Sequence, residues 1–580
     1  MPLRPSSSAL RYPPLALGAL LALSVLLIVS CGEGGSEPSE QSATSTAADA
    51  PVQDGTPRLV LLIVVDQLRG DYLDRFSPLF SGGLARLRDG GQFFPNGEQD
   101  HATTSTSPGH ATISTGVYPS RHGIVSNNWF DRQLGEEVYS VEDEELWRSP
   151  HRLLTPTLAE RMREHWPSSK IYSIGGKDRS AILTAGRTGD GVYWYDARSG
   201  DFTTSPYYVP DVMENVEALP GWLREFNDSD WPDQWFGTTW EPRLTAEDLR
   251  PFGVEPLDRG VFSSGFPRSF GGAAMGPSRS LYSAIYASPW MDEYVGELAA
   301  HILDSTEIGR DQVPDLLAVT FSATDAVGHG FGPDSPELVD TLIRLDETLG
   351  KLLDHVDRTI GLDQVVVALS SDHGVGQVPE VAQVRGRDAA RSPVELTLCI
   401  QRLGRDLASR FGLEGTAWMP EPFYLDREVL AEREVDFDSV AAAVAEGLRT
   451  CPRVDRVFRP ADLSGSQDDE LVTLFQRAFH PERSGDVLVH LRPNTLMSST
   501  TASHGSANRY DRWVPIVFRL PGFPAQRVGT AASVTDIAPT IAAMIGLPGA
   551  DFDGRNRLTD LEGGPARWDE SDLGVGETEQ

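Results

Sequence analysis

Six side chains in this sequence are of the types that hold metal ions: the carboxylates Asp66, Asp325 and Asp372 and the imidazoles His329, His373 and His504. Taken singly, each has an ordinary reading. Asp66 can cap a helix, Asp325 and His329 are four apart as on any helix face, Asp372-His373 can be a satisfied polar pair, and His504 sits in a small-residue loop, SSTTASHGSAN. Taken together, they divide between two ions. Mixed Asp/His ligation suits zinc, which accepts oxygen and nitrogen at about 2.0–2.2 Å. Two such ions about 4 Å apart clamp an in-line phosphoryl displacement. The remaining histidines, among them His151, His165, His355 and His480, are expected to be surface or core residues.

The group for such ions to act on lies in His101 to Trp129, HATTSTSPGHATISTGVYPSRHGIVSNNW. Five consecutive hydroxyl residues, Thr103 to Ser107, run into Pro108, Gly109 and His110. Proline suits the first turn of a helix, so the hydroxyls are expected at the N-terminus of a helix through Ala111, Thr112 and Ile113. That end carries unpaired N–H groups and a partial positive charge, a seat for a phosphate-like anion.

The elements that must position these residues are legible as buried strands. Leu59-Val-Leu-Leu-Ile-Val-Val65 is an apolar run stopped by Asp66, and such runs suit a parallel sheet covered on both faces. The pattern recurs in Lys170–Ile174 before Gly175-Gly-Lys-Asp-Arg179, in Leu316–Phe321 before Ser322-Ala-Thr-Asp325, and in Val365–Leu369 before Ser370-Ser-Asp-His373. Each time, polar groups collect past the strand's C-terminal end, where open α/β sheets bind ligands. Pro336 to Val356 spaces Leu338, Leu342, Leu345, Leu349, Leu352 and Val356 as an amphipathic helix, and Thr535 to Ile545 reads as a closing helix. The fold class is α/β, a mostly parallel central sheet sandwiched by helices, with cap insertions. The insertions fall at about 190–280, rich in Trp, Pro, Gly and Asp and expected to cover the site, and at about 379–483. No internal repeat is apparent.

The chain has 580 residues and a net charge of -34, from 84 acidic against 50 basic residues. No basic stripe speaks for nucleic acid, and binding an anion requires strong local positive charge. Arg4 and Arg11 precede an apolar run, Leu15 to Val29, in the layout of an export signal. The run is short for a membrane span. Residues 32–57 read as a flexible tether, 58–550 as the catalytic domain and 551–580 as an acidic tail. Cys399 and Cys451 can pair in an oxidising compartment or remain thiols, and the sequence leaves both open.

Two resemblances add to this. Ile28-Val-Ser-Cys31-Gly32 resembles the lipobox of bacterial lipoproteins, which implies cleavage before Cys31, lipid attachment there, and a periplasmic or cell-envelope address. From about Leu59 to Gly546 the chain resembles the alkaline phosphatase superfamily, and within it the phosphate-irrepressible single-chain bacterial alkaline phosphatases. The nucleotide pyrophosphatase/phosphodiesterase branch is more distant. The motifs are VVDQLRGDYL, TSPGHATISTG, HGIVSNNW, GGKDRSA, SATDAVGHGFGPDS, SSDHG and the His504 loop. The resemblance implies that Thr106 is the nucleophile, a choice the hydroxyl run alone cannot make. Asp66, Asp372 and His373 would hold the zinc that binds Thr106, and Asp325, His329 and His504 the second. Asn127, Lys177 and Arg179 would hold the phosphoryl oxygens. The expected activity is zinc-dependent hydrolysis of phosphate monoesters by a monomer with two zinc ions per chain. A phosphodiesterase is the serious rival, and an inactive lipoprotein that only binds phosphate or a partner ranks below it. A sulfatase would need Cys or Ser at position 106 and Arg at 110, where Thr106 and His110 stand. A cofactor-independent phosphoglycerate mutase would use a serine nucleophile.

Overall fold

Seven apolar residues in a row at Leu59–Val65 are all buried, on both faces. The computed structural model describes residues 48–254, 265–271, 274–412, 423–464 and 468–563, plus the backbone of short strands at 258–259, 262–263 and 418–419. The export signal, Cys31, most of the tether and the end of the acidic tail lie outside the described residues. The central sheet contains β1 (Leu59–Val65), β2 (Gln92–Glu98), β3 (Ile171–Gly175), β4 (Gly191–Tyr195), β5 (Phe202–Thr203), β6 (Asp315–Phe321), β7 (Val365–Ser370), β8 (Trp513–Arg519), β9 (Gln526–Arg527) and β10 (Ala532–Ser533). Their order is β9-β2-β8-β7-β1-β6-β3-β4-β5, with β10 also on β2. The run β7-β1-β6-β3-β4 is parallel throughout. Strand β8 pairs antiparallel with β7 and β2, as β5 does with β4.

The principal helices are α1 (Thr106–Thr115), α2 (Leu158–His165), α3 (Asp178–Ala185), α4 (Pro289–Ser305), α5 (Ala323–Phe331), α6 (Pro336–Thr359), α7 (Val394–Phe411), α8 (Phe437–Arg449) and α9 (Ile537–Ile545). Alternation along β1 sends Leu59, Leu61, Ile63 and Val65 into a core with α4 and α6. Val60, Leu62 and Val64 go into a second core with α2 and α9. Helix α6 forms as its spacing predicts. The Ser335 hydroxyl accepts the Leu338 N–H, Pro336 occupies the first turn, and the leucine stripe is buried; the helix runs three residues past Val356, to Thr359.

Two stretches read differently in three dimensions. Gly191–Tyr195, inside the first expected insertion, is a fully buried strand of the central sheet, and aromatic residues beyond it, including Trp231 and Phe226, stack on Tyr294 of α4. Their lack of periodicity reflects irregular backbone packed as core. The second stretch builds its own small core from α7, α8 and the antiparallel pair of strands Val454–Phe458 and Leu488–Leu491. A disulfide joins Cys399 on α7 to Cys451 just after α8, which resolves the alternative the sequence left open.

Candidate active site

Parallel neighbours end on the same edge, and this brings the predicted residues together. Strands β7, β1, β6 and β3 lie side by side. Past their C-termini come Asp372 and His373, then Asp66, then Asp325 on the first turn of α5, then Lys177 at the start of α3. Helix α1 lies against this edge with all ten residues buried and Thr106 first. Gly109 permits that approach: a Cβ there would stand 2.2 Å from the Asp372 carbonyl oxygen. The expected placement of Pro108 in the helix's first turn holds.

Thr106 is 1% exposed and meets two cations. Lys177 Nζ is 3.3 Å and Arg179 Nη2 3.5 Å from its Oγ1. The Ser107 N–H donates to Asn127 Oδ1 at 2.8 Å, which orients the amide beside the helix N-terminus. Asn128 turns away to donate to Glu137. Tyr139, which no motif signalled, accepts from Arg179 Nη1 at 3.1 Å and steadies that guanidinium.

The three imidazoles are held alike. His329 Nδ1 lies 2.8 Å from the Ala502 carbonyl, His504 Nδ1 2.8 Å from that of Thr104, and His373 Nδ1 3.0 Å from that of Gly374. Each Nδ1–H is thereby committed to a carbonyl, and each Nε2 is left with a lone pair, the arrangement seen for metal-bound histidine. Those lone pairs converge. His329 Nε2 is 3.2 Å from both His504 Nε2 and Asp325 Oδ1, and His504 Nε2 is 3.5 Å from Asp325 Oδ1. His373 Nε2 is 3.4 Å from Asp66 Oδ1 and from Asp372 Oδ2. The donor atoms of Asp66, Asp372 and His373 lie within 4.8 Å of one another, close enough to share an ion, and so do those of Asp325, His373 and His504. His373 thus abuts both clusters, and its ring stacks on His504.

These donors suit divalent cations. Both oxygens of Asp66, Asp372 Oδ2 and His373 Nε2 are buried without a hydrogen-bond partner. Lys177 does sit against Asp66 as an ion pair, but without the direction of a hydrogen bond. Among the described residues, Lys177 is the one Lys or Arg that ion-pairs with the three buried carboxylates, reaching Asp66 and Asp325, so further positive charge is needed to offset their desolvation. Burial, with Asp325 and Asp372 nearby, pushes Asp66 well above the carboxylate range. Burial also acts to raise Asp325, but Lys177 and His329 outweigh it and hold that carboxyl well below its usual value. Burial pushes His373 down to about 3, so its imidazole is neutral at ordinary pH.

Gln67, quoted in the first motif but given no role, links the two clusters. Its N–H reaches Asp372 Oδ1 at 3.2 Å and its Nε2 reaches Asp325 Oδ1 at 2.6 Å. It does this from a left-handed backbone, φ 65°, beside Gly328, where a Cβ would stand 1.9 Å from Gln67 Oε1. The signal in the sequence was its place directly after Asp66. Replacing Gln67 with Leu should weaken metal binding about 10- to 100-fold, as losing an outer partner of a ligand does; a competitive chelator titration reads it. Unchanged affinity would reduce Gln67 to packing.

A phosphate-ester hydrolase built on an α/β sandwich is what this fold and edge define. The chain belongs to the type I phosphodiesterase/nucleotide pyrophosphatase family of the alkaline phosphatase superfamily, whose sequence model matches residues 60–507. It is 32% identical over 524 residues to alkaline phosphatase PhoK of Sphingomonas sp, covering 85% of this chain and 89% of that one. It is 30% identical over 516 residues to alkaline phosphatase PhoV of Synechococcus elongatus, covering 84% and 90%. The crystal structure of alkaline phosphatase PafA superposes with a TM-score of 0.78 at 28% identity, covering 87% of this chain and 99% of that one.

Proposed function

We propose that this chain is a zinc-dependent alkaline phosphatase that hydrolyses phosphate monoesters through a phosphothreonine on Thr106. The observation that carries the reading is Thr106 Oγ1 at the N-terminus of α1, faced by Lys177 and Arg179 and backed by unpartnered ligand atoms. Asp66, Asp372, His373 and Thr106 would hold one ion, and Asp325, His329 and His504 the other. When bound, two zinc ions supply a lowered pKa for the Thr106 hydroxyl and positive charge for the leaving oxygen.

The chain's own groups do the rest. Thr106 Oγ attacks phosphorus in line, forming the Oγ–P bond as the ester P–O bond breaks and the alcohol departs. Water then attacks the same phosphorus, and the Oγ–P bond breaks to release phosphate. Lys177, Arg179 and Asn127 Nδ2 hold the non-bridging oxygens, with Arg179 offering a planar two-pronged match. These local charges outweigh a screened global charge of -34.

The discriminating experiment compares kcat/KM for an aryl phosphate monoester and its methyl diester, with zinc content measured on the same sample. Monoester preference with two zinc ions supports the reading. The matched phosphodiesterase family favours the second reading, and diester preference would move the chain to it. Turnover of neither substrate at full zinc occupancy would leave a binding protein.

The address is part of the same reading: an exported lipoprotein anchored through Cys31. The mature N-terminus should be an acylated Cys31, and Cys31→Ala should leave an unlipidated precursor. Mass spectrometry showing a mature N-terminus elsewhere and no acyl chain would remove this.

A further inference from the structure

Between the second insertion and the catalytic edge lies a cavity of about 350 Å³. Protein interiors leave few voids larger than a water molecule, and an engineered apolar cavity of roughly 150 Å³ already takes up benzene. A space of this size at the seam between a cap and a catalytic body is where small-molecule sites form.

Its floor comes from the backbone around the proposed machinery. Thr103 is three residues before Thr106, Ser126 adjoins Asn127, and Gly505 adjoins His504. Two hydrogen bonds tie these floor segments together, one between His504 Nδ1 and the Thr104 carbonyl and one from Thr104 Oγ1 to the Ser506 carbonyl. The walls come from the insertion, with Phe423, Leu448, Val454, Phe475 and Leu488. The insertion is pinned over the floor by Arg483, whose Nη1 donates to the carbonyls of Gly123 and Arg152 at 2.6 Å.

The lining states what belongs inside. Among the described residues it includes no Asp, Glu, Lys or Arg. Its one imidazole, His490, is pushed down by burial and stays neutral. Among those described lining residues a sugar phosphate or polyphosphate would find no Lys, Arg or carboxylate partner. A neighbouring cavity of about 430 Å³, lined by His504 itself, carries Asp511 and Asn494, so an uncharged group is directed to the first.

We propose that this cavity receives the apolar organic group of the phosphate monoester, making aryl and bulky alkyl monoesters the preferred substrates. The inference rests on the phosphatase reading, in which the leaving oxygen lies on the Asp325, His329 and His504 side; Gly505, which lines the cavity, directly follows His504.

Two half-buried wall residues outside the catalytic machinery supply the test: Ile400 on α7 and Val489 on the strand Leu488–Leu491. Ile400→Trp and Val489→Trp should each lower kcat/KM for 2-naphthyl phosphate about tenfold or more, through KM, while glycerol phosphate turnover and zinc content stay unchanged. The same kcat/KM ratio in both variants and wild type, or equal losses on both esters, would overturn the proposal. A titration of 2-naphthol by its fluorescence separates the two readings. Binding by wild type that Val489→Trp abolishes supports the cavity even if no monoester is hydrolysed, an outcome that sinks the phosphatase reading alone. Failure of wild type to bind 2-naphthol sinks the cavity.

Discussion

Asp372→Ala should lower monoester hydrolysis by about a thousandfold or more and reduce bound zinc from two ions per chain. Lewis-acid stabilisation is worth several kcal/mol, and each 1.36 kcal/mol is tenfold in rate. Asp372 Oδ2 is buried with no hydrogen-bond partner of its own; His373 Nε2 lies 3.4 Å away and His110 Nδ1 also 3.4 Å. Its removal therefore takes away an unpartnered donor atom at Oδ2 and, at Oδ1, the hydrogen bond from the Gln67 N–H. The fold should survive, because the two sheet cores are built from apolar residues on β1, β6 and β7. Deleting one of three crowded carboxylates also relieves repulsion on Asp66, which Asp372 helps to raise. Elemental analysis, steady-state kinetics and a thermal melt on one preparation decide it. Full activity with zinc lost, or full activity of wild type after exhaustive chelation, would rule out the metal reading. A collapsed melting transition would show that Asp372 serves the fold.

The second large effect separates monoesters from diesters. A monoester dianion presents three non-bridging oxygens, and the outermost needs donors beyond the metal side of the site. Lys177 Nζ and Arg179 Nη2 stand 3.3 and 3.5 Å from Thr106 Oγ1, where those oxygens arrive. A diester carries a substituent on one of those oxygens and gains less from two cations. By analogy with oxyanion donors worth roughly 3 kcal/mol each, and allowing for non-additivity between neighbours, changing both residues to Ala should cost the monoester roughly a thousandfold to ten-thousandfold. Diester hydrolysis should change much less. Lys177 also pairs with Asp66 and Asp325, so its loss disturbs the ligands too. The kinetics must therefore be read at saturating zinc with the zinc content measured. Equal losses on both substrates would mean that the pair supports metal binding or structure.

Much of this molecule was legible because its parallel strands are buried on both faces. That makes them continuous apolar runs, and a run that stops at Asp66, or two residues before Asp372, marks the strand end directly. Strand β2 was not legible: QFFPNGE contains Pro95, polar residues and a register shift against β8. Strand β4 was hidden in an aromatic-rich stretch whose side chains are core. Within the site, residue types identified the candidate ligands, and family resemblance chose Thr106 from five hydroxyls. Gln67 and Tyr139 went unread because a bridging amide or phenol has no spacing rule; its role exists only once distant segments meet.

The sequence by itself determined that β1, β3, β6 and β7 form, where each ends, and that ionisable groups follow those ends, since burial and backbone termination are local properties. Only the tertiary structure decided that β7, β1, β6 and β3 are adjacent and parallel, which turns four separate strand ends into one edge. It also decided that Cys399 meets Cys451 and that the second insertion roofs a cavity beside His504. The reason is physical. Periodicity encodes which face of an element is buried, whereas which elements become neighbours depends on packing among segments distant in the chain, as in the Gln67 to Asp372 hydrogen bond at a separation of 305.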